Sequence, residues 1–408
     1  VTVAVEGGTR QGKGALIGLA DQGVSSATNL LAVLAVAASL NADGFGVFSV
    51  VYGGLTLALG LGRSYLGLPI ALEGAVATGG RAYNGSVTLV TVAGLPIILL
   101  LGLLGWAVAA GHGLGWIGLI VAIATPLVVV QDLGRFQAMA QGKQWLALAS
   151  DTLWLLGAAT LWGLRDVLTT EGVLWVWLAT IIAAALIVTL PLRPRWDRQR
   201  AIELLKPARG ARESASIAVL LSAGGSMVVG LIVAGAFGPA GAGALRGAGT
   251  LMGVMNTLIA FLDFGVLIRL ARRHRSEDRK SLAAMLVVYL IALGTWTAIL
   301  LWIPDSAGEV VLGDTWVSTR AILPITALEY VSLVAIAVLG IYCKLRDQAK
   351  PILVGKVAST CILLGGVMTL AAVGAQFIWV PVCMAVAAAV GLIVMSALIS
   401  VRTRRSRR

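Results

Sequence analysis

Charge is scarce in this sequence. Asp, Glu, Lys and Arg make up only 12% of its 408 residues, about half their share in an ordinary soluble domain. Ionised side chains are costly in hydrocarbon and apolar ones are not. Set against 58% hydrophobic residues, the shortage excludes a soluble globular domain and points to a chain embedded in a bilayer. Cysteine is rarer still. Cys343, Cys361 and Cys383 lack the spacing of a disulfide framework or a metal site and read as small apolar residues in or beside helices. His112 and His274 fall in loops far apart in sequence. There is no phosphate-binding Gly-rich loop closed by Lys-Ser or Lys-Thr, no Ser/His/Asp set, and no large hydrophilic domain. The expectation is a protein that is not an enzyme and carries no resident cofactor.

What the chain does have is long apolar runs. A bilayer-spanning helix needs about 20 predominantly apolar residues. Twelve segments qualify: 15–39, 45–69, 84–108, 114–138, 146–164, 172–192, 215–236, 243–268, 282–304, 318–342, 352–373 and 377–400. The first carries no small-residue cleavage site, so it is expected to remain as a helix rather than to be removed as a signal. Fifty glycines fit such helices, because small residues let them approach closely. The fold class expected is an all-α polytopic membrane protein with about twelve transmembrane helices.

Loop charge orients the spans. Arg193, Arg195, Arg198, Arg200, Lys206, Arg209 and Arg212 lie between spans six and seven, and Arg269, Arg272, Arg273, Arg275, Arg279 and Lys280 between eight and nine. Lys344, Arg346 and Lys350 follow span ten, and five arginines end the chain. With twelve spans all of these share one side. The opposite loops hold acids instead, Asp43 in one and Asp305, Glu309 and Asp314 in 305–317. Basic loops stay in the cytoplasm, so both termini are expected there. The net charge of +12 is thereby topological, although it also suits anionic membrane lipids. A weak repeat runs through the chain: sliding it by 197 positions pairs Gly44 with Gly241 and Gly46 with Gly243, each in the outer turn of its hairpin. Six spans per half keep both halves in one orientation, so the repeat is parallel. The expected division is a six-helix lobe at 1–192, a basic cytoplasmic linker at 193–214, a second six-helix lobe at 215–401 and a basic tail at 402–408.

Ionisable groups inside spans are functional candidates, since each must face a cavity or a partner. Span one carries Asp21, Ser25, Thr28 and Asn29 on one helical stripe, and span two carries Ser49, Tyr52, Thr56 and Arg63. Asp21 lies 21 positions before Ala42 and Arg63 lies 21 after it. Equal rise puts the two at similar depth, as a direct ion pair or around shared water. Span four carries Gln131, Asp132 and Arg135 and span five carries Asp151, and the turn near Gly142 puts Asp132 and Asp151 at similar height toward the cytoplasm. Three carboxylates and two guanidiniums at one level imply a hydrated cavity, unless Arg135 and Asp151 snorkel to the interface. The second half is sparser: Arg246, Asn256 and Asp263 on span eight, Glu329 and Tyr330 on span ten, and Lys356 on span eleven. Glu329 is either a neutral structural group or a cation or proton site. Trp106, Trp116, Trp302 and Trp316 sit near outer span ends and read as an interfacial belt.

The polar stripe from Asp21 to Asn29, the turn Gly44-Phe45-Gly46, Arg63 closing span two, and Gln131-Asp132-Leu133-Gly134-Arg135-Phe136 in span four together resemble the Wzx-like polysaccharide flippases. These belong to the multidrug/oligosaccharidyl-lipid/polysaccharide exporter (MOP) superfamily. The matching motifs cover about a third of the chain. The resemblance implies two six-helix lobes alternating between inward-open and outward-open states, and a polyprenyl-diphosphate-linked oligosaccharide flipped from inner to outer leaflet. Arg63 and Arg135, with Gln131, Asn29, Tyr52, Arg246 and Asn256, are the substrate-binding candidates it implies. Asp21, Asp132, Asp151, Asp263 and Glu329 are the candidates for gating pairs or for a coupling proton or sodium ion. Envelope polysaccharide polymerases or ligases would be partners, nucleic acid would not. The site would be a bacterial plasma membrane, and 24 Arg against 7 Lys suits a high-GC bacterium. The carboxylates depart from the plainly cationic cavity common in the family. Two rival readings stay open: a multidrug/cation antiporter of the same superfamily, and a non-transporting scaffold for envelope assembly.

Overall fold

A computed structural model describes residues 7–67, 69–70, 80–111, 113–206, 211–258, 278–346 and 348–405, with backbone alone for residues 7–22 and for some others within helices. The described residues are helical apart from short turns, and helix lies at each of the twelve expected positions. In hydrocarbon no water is at hand for peptide groups, so a chain this apolar satisfies them within helices. Among the described residues nine helices are long and apolar enough to cross a membrane, and Gly23–Ser39 is a shorter apolar one. The protein is an all-α, multi-pass membrane protein.

Contacts divide it into two compact units, Val1–Leu40 with Val50–Ala223, and Asn41–Ser49 with Gly224–Arg408. Unit 1 contains α1 (Gly7–Ser39), most of α2 (Ala42–Leu61) with the π-helical turn Gly62–Gly67 that continues it, and α3 (Arg81–Leu89). It continues with α4 (Leu95–Ala110), α5 (Gly115–Ala140), α6 (Gln144–Leu164), α7 (Thr170–Leu192), α8 (Arg198–Leu205) and α9 (Ala211–Val219). α5 packs against α4 and α7, and α6 against α1 and α7. A helix that is apolar all round is enclosed by others, and α5 is buried along most of its length. α8 lies within the stretch expected as a linker, packed on α3.

Unit 2 contains α10 (Gly225–Phe237), α11 (Pro239–Leu251), α12 (Asp278–Trp302), α13 (Asp305–Leu312), α14 (Trp316–Leu345), α15 (Ala349–Ala372) and α16 (Trp379–Arg405). Leu282, Tyr289, Val334, Ile341 and Met395 form a core among α12, α14 and α16.

Two readings of the outer segments need correction. Residues 305–317 are not a simple loop, since they form α13 and a 3-10 turn. Trp316 is not part of an exposed belt: it is fully buried, and its indole N–H donates to Asp305 Oδ1 at 2.9 Å. The same carboxylate accepts from Arg320. Gly308 makes this possible, because a Cβ there would stand 1.9 Å from the indole ring. Trp106 and Trp302 are exposed, as a belt requires.

The two repeat-related turns meet each other within unit 2. Ala240 N–H donates to Asp43 Oδ1 at 3.2 Å. A Cβ on Gly46 would stand 1.8 Å from the Pro239 carbonyl oxygen, and one on Gly243 would stand 3.2 Å from the Ala42 carbonyl oxygen. Under the 197-residue shift Ala42 corresponds to Pro239 and Gly46 to Gly243. The contact is therefore reciprocal: each glycine faces the counterpart of its own neighbour four residues earlier. Side-chain-free positions on both helices allow their backbones to cross this closely.

Candidate functional site: a buried charge relay

Among the described residues, four intramembrane charges of unit 1 form one connected network. Arg63 donates to Asp132 twice, Nε to Oδ2 at 2.9 Å and Nη2 to Oδ1 at 2.8 Å. Arg135 Nη1 also donates to Asp132 Oδ1, at 3.1 Å. Its Nη2 lies 3.0 Å from Asp151 Oδ2, and its Nη1 reaches Ser25 Oγ at 3.4 Å. Gln131 Nε2 donates to Asp151 Oδ1 and to Ser150 Oγ, both at 2.9 Å. Ser150 Oγ in turn donates to the Ala184 carbonyl at 2.8 Å. Cation and anion alternate along the line Arg63, Asp132, Arg135, Asp151, and the four charges cancel formally.

Local sequence explains the placement. Gln131, Asp132 and Arg135 occupy one side of α5 at helical spacing. The other residues of that motif pack: Leu133 joins a core with Leu66, Tyr83 and Leu204, and Phe136 packs against it. The ring of Phe136 lies where a Cβ on Gly67 would be 3.0 Å away. Gly134 faces Val188. Arg63 sits in the π-helical turn Gly62–Gly67. Such a turn inserts an extra residue, rotating the downstream side chains out of register with the helix before it, and it recurs at functional sites.

Exposure grades along the relay. The side chains of Arg135, Asp132 and Asp151 are 6%, 5% and 1% exposed, whereas Arg63 is 42% exposed. The option that Arg135 and Asp151 snorkel at the interface therefore does not hold. The buried members hold one another, and Arg63 presents a cationic edge to whatever lies outside. A buried ion pair with its hydrogen bonds satisfied persists in low dielectric, whereas one partner alone does not.

The remaining candidates are placed as follows. Asp21 lies on α1, and its side chain is outside the described residues, as is Asp263. Arg63 has Asp132 as its ion-pair partner. Asn29 donates to the Ser25 carbonyl at 3.0 Å. Tyr52 is buried with its ring 6.2 Å from that of Trp177. In unit 2, Asn256 Nδ2 donates to Tyr330 Oη at 3.0 Å. Glu329 is partly buried on α14, Lys356 partly buried on α15, and Arg246 partly buried on α11. Among the described residues no group of three or more His, Cys, Asp or Glu side chains is placed to hold a metal ion. Sequence reasoning missed Ser150 altogether; a polar side chain directly preceding Asp151 was the only signal for it.

No protein-family model matches the chain, and no curated protein matches it in sequence. Solved structures do resemble it. One is the lipid II flippase MurJ in an inward closed conformation, with a TM-score of 0.68 at 13% identity over 95% of this chain and 87% of that one. Another is a multidrug resistance MATE family transporter of the MOP superfamily, inward-facing, with a TM-score of 0.59 at 13% identity over 93% and 96%. A third is a MOP superfamily transporter from Pyrococcus furiosus, with a TM-score of 0.52 at 14% identity over 94% of each chain. The chain thus has the fold of the MOP superfamily transporters, a multi-pass bundle of helices in which the charge relay is built.

Proposed function

We propose that this protein is a flippase, moving a polyprenyl-diphosphate-linked oligosaccharide from the inner to the outer leaflet of a bacterial plasma membrane by alternating access. The observation that carries this reading is the state of the carboxylates. A cation antiporter needs an acidic site open to its cation. Asp132 is held by Arg63 and Arg135, and Asp151 by Arg135. Both carboxylates of the relay are thus already matched by a base. What remains presented is the half-exposed guanidinium of Arg63, whose chemistry suits a diphosphate. Arg135 and Gln131 act as positioning residues, fixing Asp132 and Asp151 so that Arg63 is held. Asn29, Tyr52, Arg246 and Asn256 are the proposed partners of sugar hydroxyls or the second phosphate, and a proton or sodium ion would drive the cycle. Both termini lie in the cytoplasm on the loop-charge argument. The resemblance of the Asp21–Arg63 and Gln131–Phe136 segments to Wzx-like flippases supports the same substrate class.

A multidrug/cation antiporter is the competing reading, supported by the fold shared with MATE transporters. Depletion followed by lipid analysis separates the two. The flippase reading expects one lipid-linked glycan to accumulate in the inner leaflet; unchanged glycan lipids with lost drug resistance would favour the antiporter. Arg63→Ala is expected to lower flipping by about tenfold or more, the worth of one charge-assisted hydrogen bond. Arg63→Lys should recover part of that, since it keeps the charge and loses the fork. Full flipping in both variants would overturn the role of Arg63.

A further inference from the structure

α7 ends in an exposed apolar stripe, Ile182, Leu186 and Leu190, at 40, 47 and 66% exposure. Such a stripe on a spanning helix faces acyl chains. One turn beyond it the chain breaks at Arg193, which takes a left-handed conformation with φ 45°, and enters α8. This short segment is fixed on its inner side. Arg195 N–H donates to Asn84 Oδ1 at 2.9 Å and Asp197 N–H to Thr88 Oγ1 at 3.0 Å. Tyr65 Oη donates to the Leu204 carbonyl at 3.0 Å, and Ala201 and Leu204 are buried.

The outer side is a different surface. Arg198, Ile202 and Leu205 fall at i, i+4 and i+7, one stripe of the helix. Ile202 and Leu205 are 50% and 55% exposed, and Trp196 in the preceding turn is 65% exposed. Arg193, Arg195 and Arg198 are exposed as well. The acids nearby are occupied: Asp197 caps Arg200 N–H at 2.9 Å and faces Arg81, and Glu203 pairs with Arg200 at 2.8 Å. Topological charge alone explains basic residues in a cytoplasmic loop. It does not explain Trp, Ile and Leu left exposed among them. Amphipathic segments with that mixture lie in the headgroup boundary, apolar side chains inserted and cations on lipid phosphates.

We propose that the segment from Arg193 to Leu205 is an anionic-phospholipid site, in which Trp196, Ile202 and Leu205 enter the leaflet and Arg193, Arg195 and Arg198 hold the headgroup. Because Tyr65 ties this segment to the π turn carrying Arg63, headgroup occupancy there is mechanically linked to the relay. The site does not depend on which cargo the protein carries.

The test uses the full chain in nanodiscs holding a minor fraction of bromine-labelled lipid, either phosphatidylglycerol or phosphatidylcholine. Quenching of Trp196 is read as the difference between the wild type and Trp196→Phe. Trp196 should be quenched, and more by labelled phosphatidylglycerol, with a preference of about fivefold per engaged arginine. That preference should vanish in R193Q/R195Q/R198Q and persist in R402Q/R404Q/R405Q, which removes equal charge from the tail. Absence of quenching in the wild type, which a protein occupant of this face would produce, overturns the proposal. So does equal quenching by the two lipids, or an equal loss of preference in the tail variant.

Discussion

Asp132→Ala is expected to destabilise the protein by about 3–5 kcal/mol, the cost of breaking a buried ion pair from one side. The reason lies in the relay's stoichiometry. Asp132 accepts from Arg63 twice and from Arg135 once. Removing it leaves two guanidiniums facing Asp151 as their one remaining carboxylate within the relay. Arg135, at 6% exposure, cannot turn to water. Arg63, at 42%, can. Hence Arg63→Ala should cost much less stability than Asp132→Ala, and the double variant Arg63→Ala/Asp132→Ala should be milder than Asp132→Ala alone. Thermal unfolding of the detergent-purified protein measures all three. Equal midpoints for Asp132→Ala and the wild type would show that the relay is structurally idle.

The second large effect is expected at Gly46. A methyl group there would lie 1.8 Å from the carbonyl oxygen of Pro239, and the obstacle is backbone, which cannot rotate away. Gly46→Ala should therefore part the first turn of α2 from α11, break the Ala240-to-Asp43 hydrogen bond and lower stability by about 3 kcal/mol, the upper end for overpacking. Gly243→Ala meets its nearest atoms at 3.2 Å, so a shift of a few tenths of an ångström accommodates it and a small effect is expected. The same unfolding measurement compares the two. A larger loss at Gly243 than at Gly46 would show that the crossing is not as close as drawn.

Much of this fold was legible in the sequence because hydropathy needs only one dimension. Each expected span met helix, and the charges of α5 stood out because Gln131, Asp132 and Arg135 interrupt a run that is otherwise apolar. Depth could also be read, by counting residues from a turn. Azimuth could not. Asp21 and Arg63 share a hairpin and so were matched by height; the Asp21 side chain lies outside the described residues, and Arg63 pairs with Asp132 on α5, a partner that counting from the turn does not name. In spans that are apolar on every face, periodicity does not say which side meets which neighbour. The same blindness hid α13: its burial partner is Trp316, and nothing in the acid-bearing segment 305–317 announces that an indole will be covered by it. Ser150 was invisible because a serine among alanines and leucines carries no charge to mark it.

The crossing at Gly46 and Gly243 has one more consequence. In a symmetric dimer with an isologous interface, residue i of one subunit meets residue j of the other, and j meets i. Ala42, Gly46, Pro239 and Gly243 obey that rule inside a single polypeptide. The hydrogen bond beside them does not. Asp43 on one side accepts a hydrogen bond from Ala240, while Ala240, its own counterpart, has no carboxylate to return it. The crossing is thus two-fold at its glycines and polarised at its hydrogen bond, where Asp43 supplies the carboxylate.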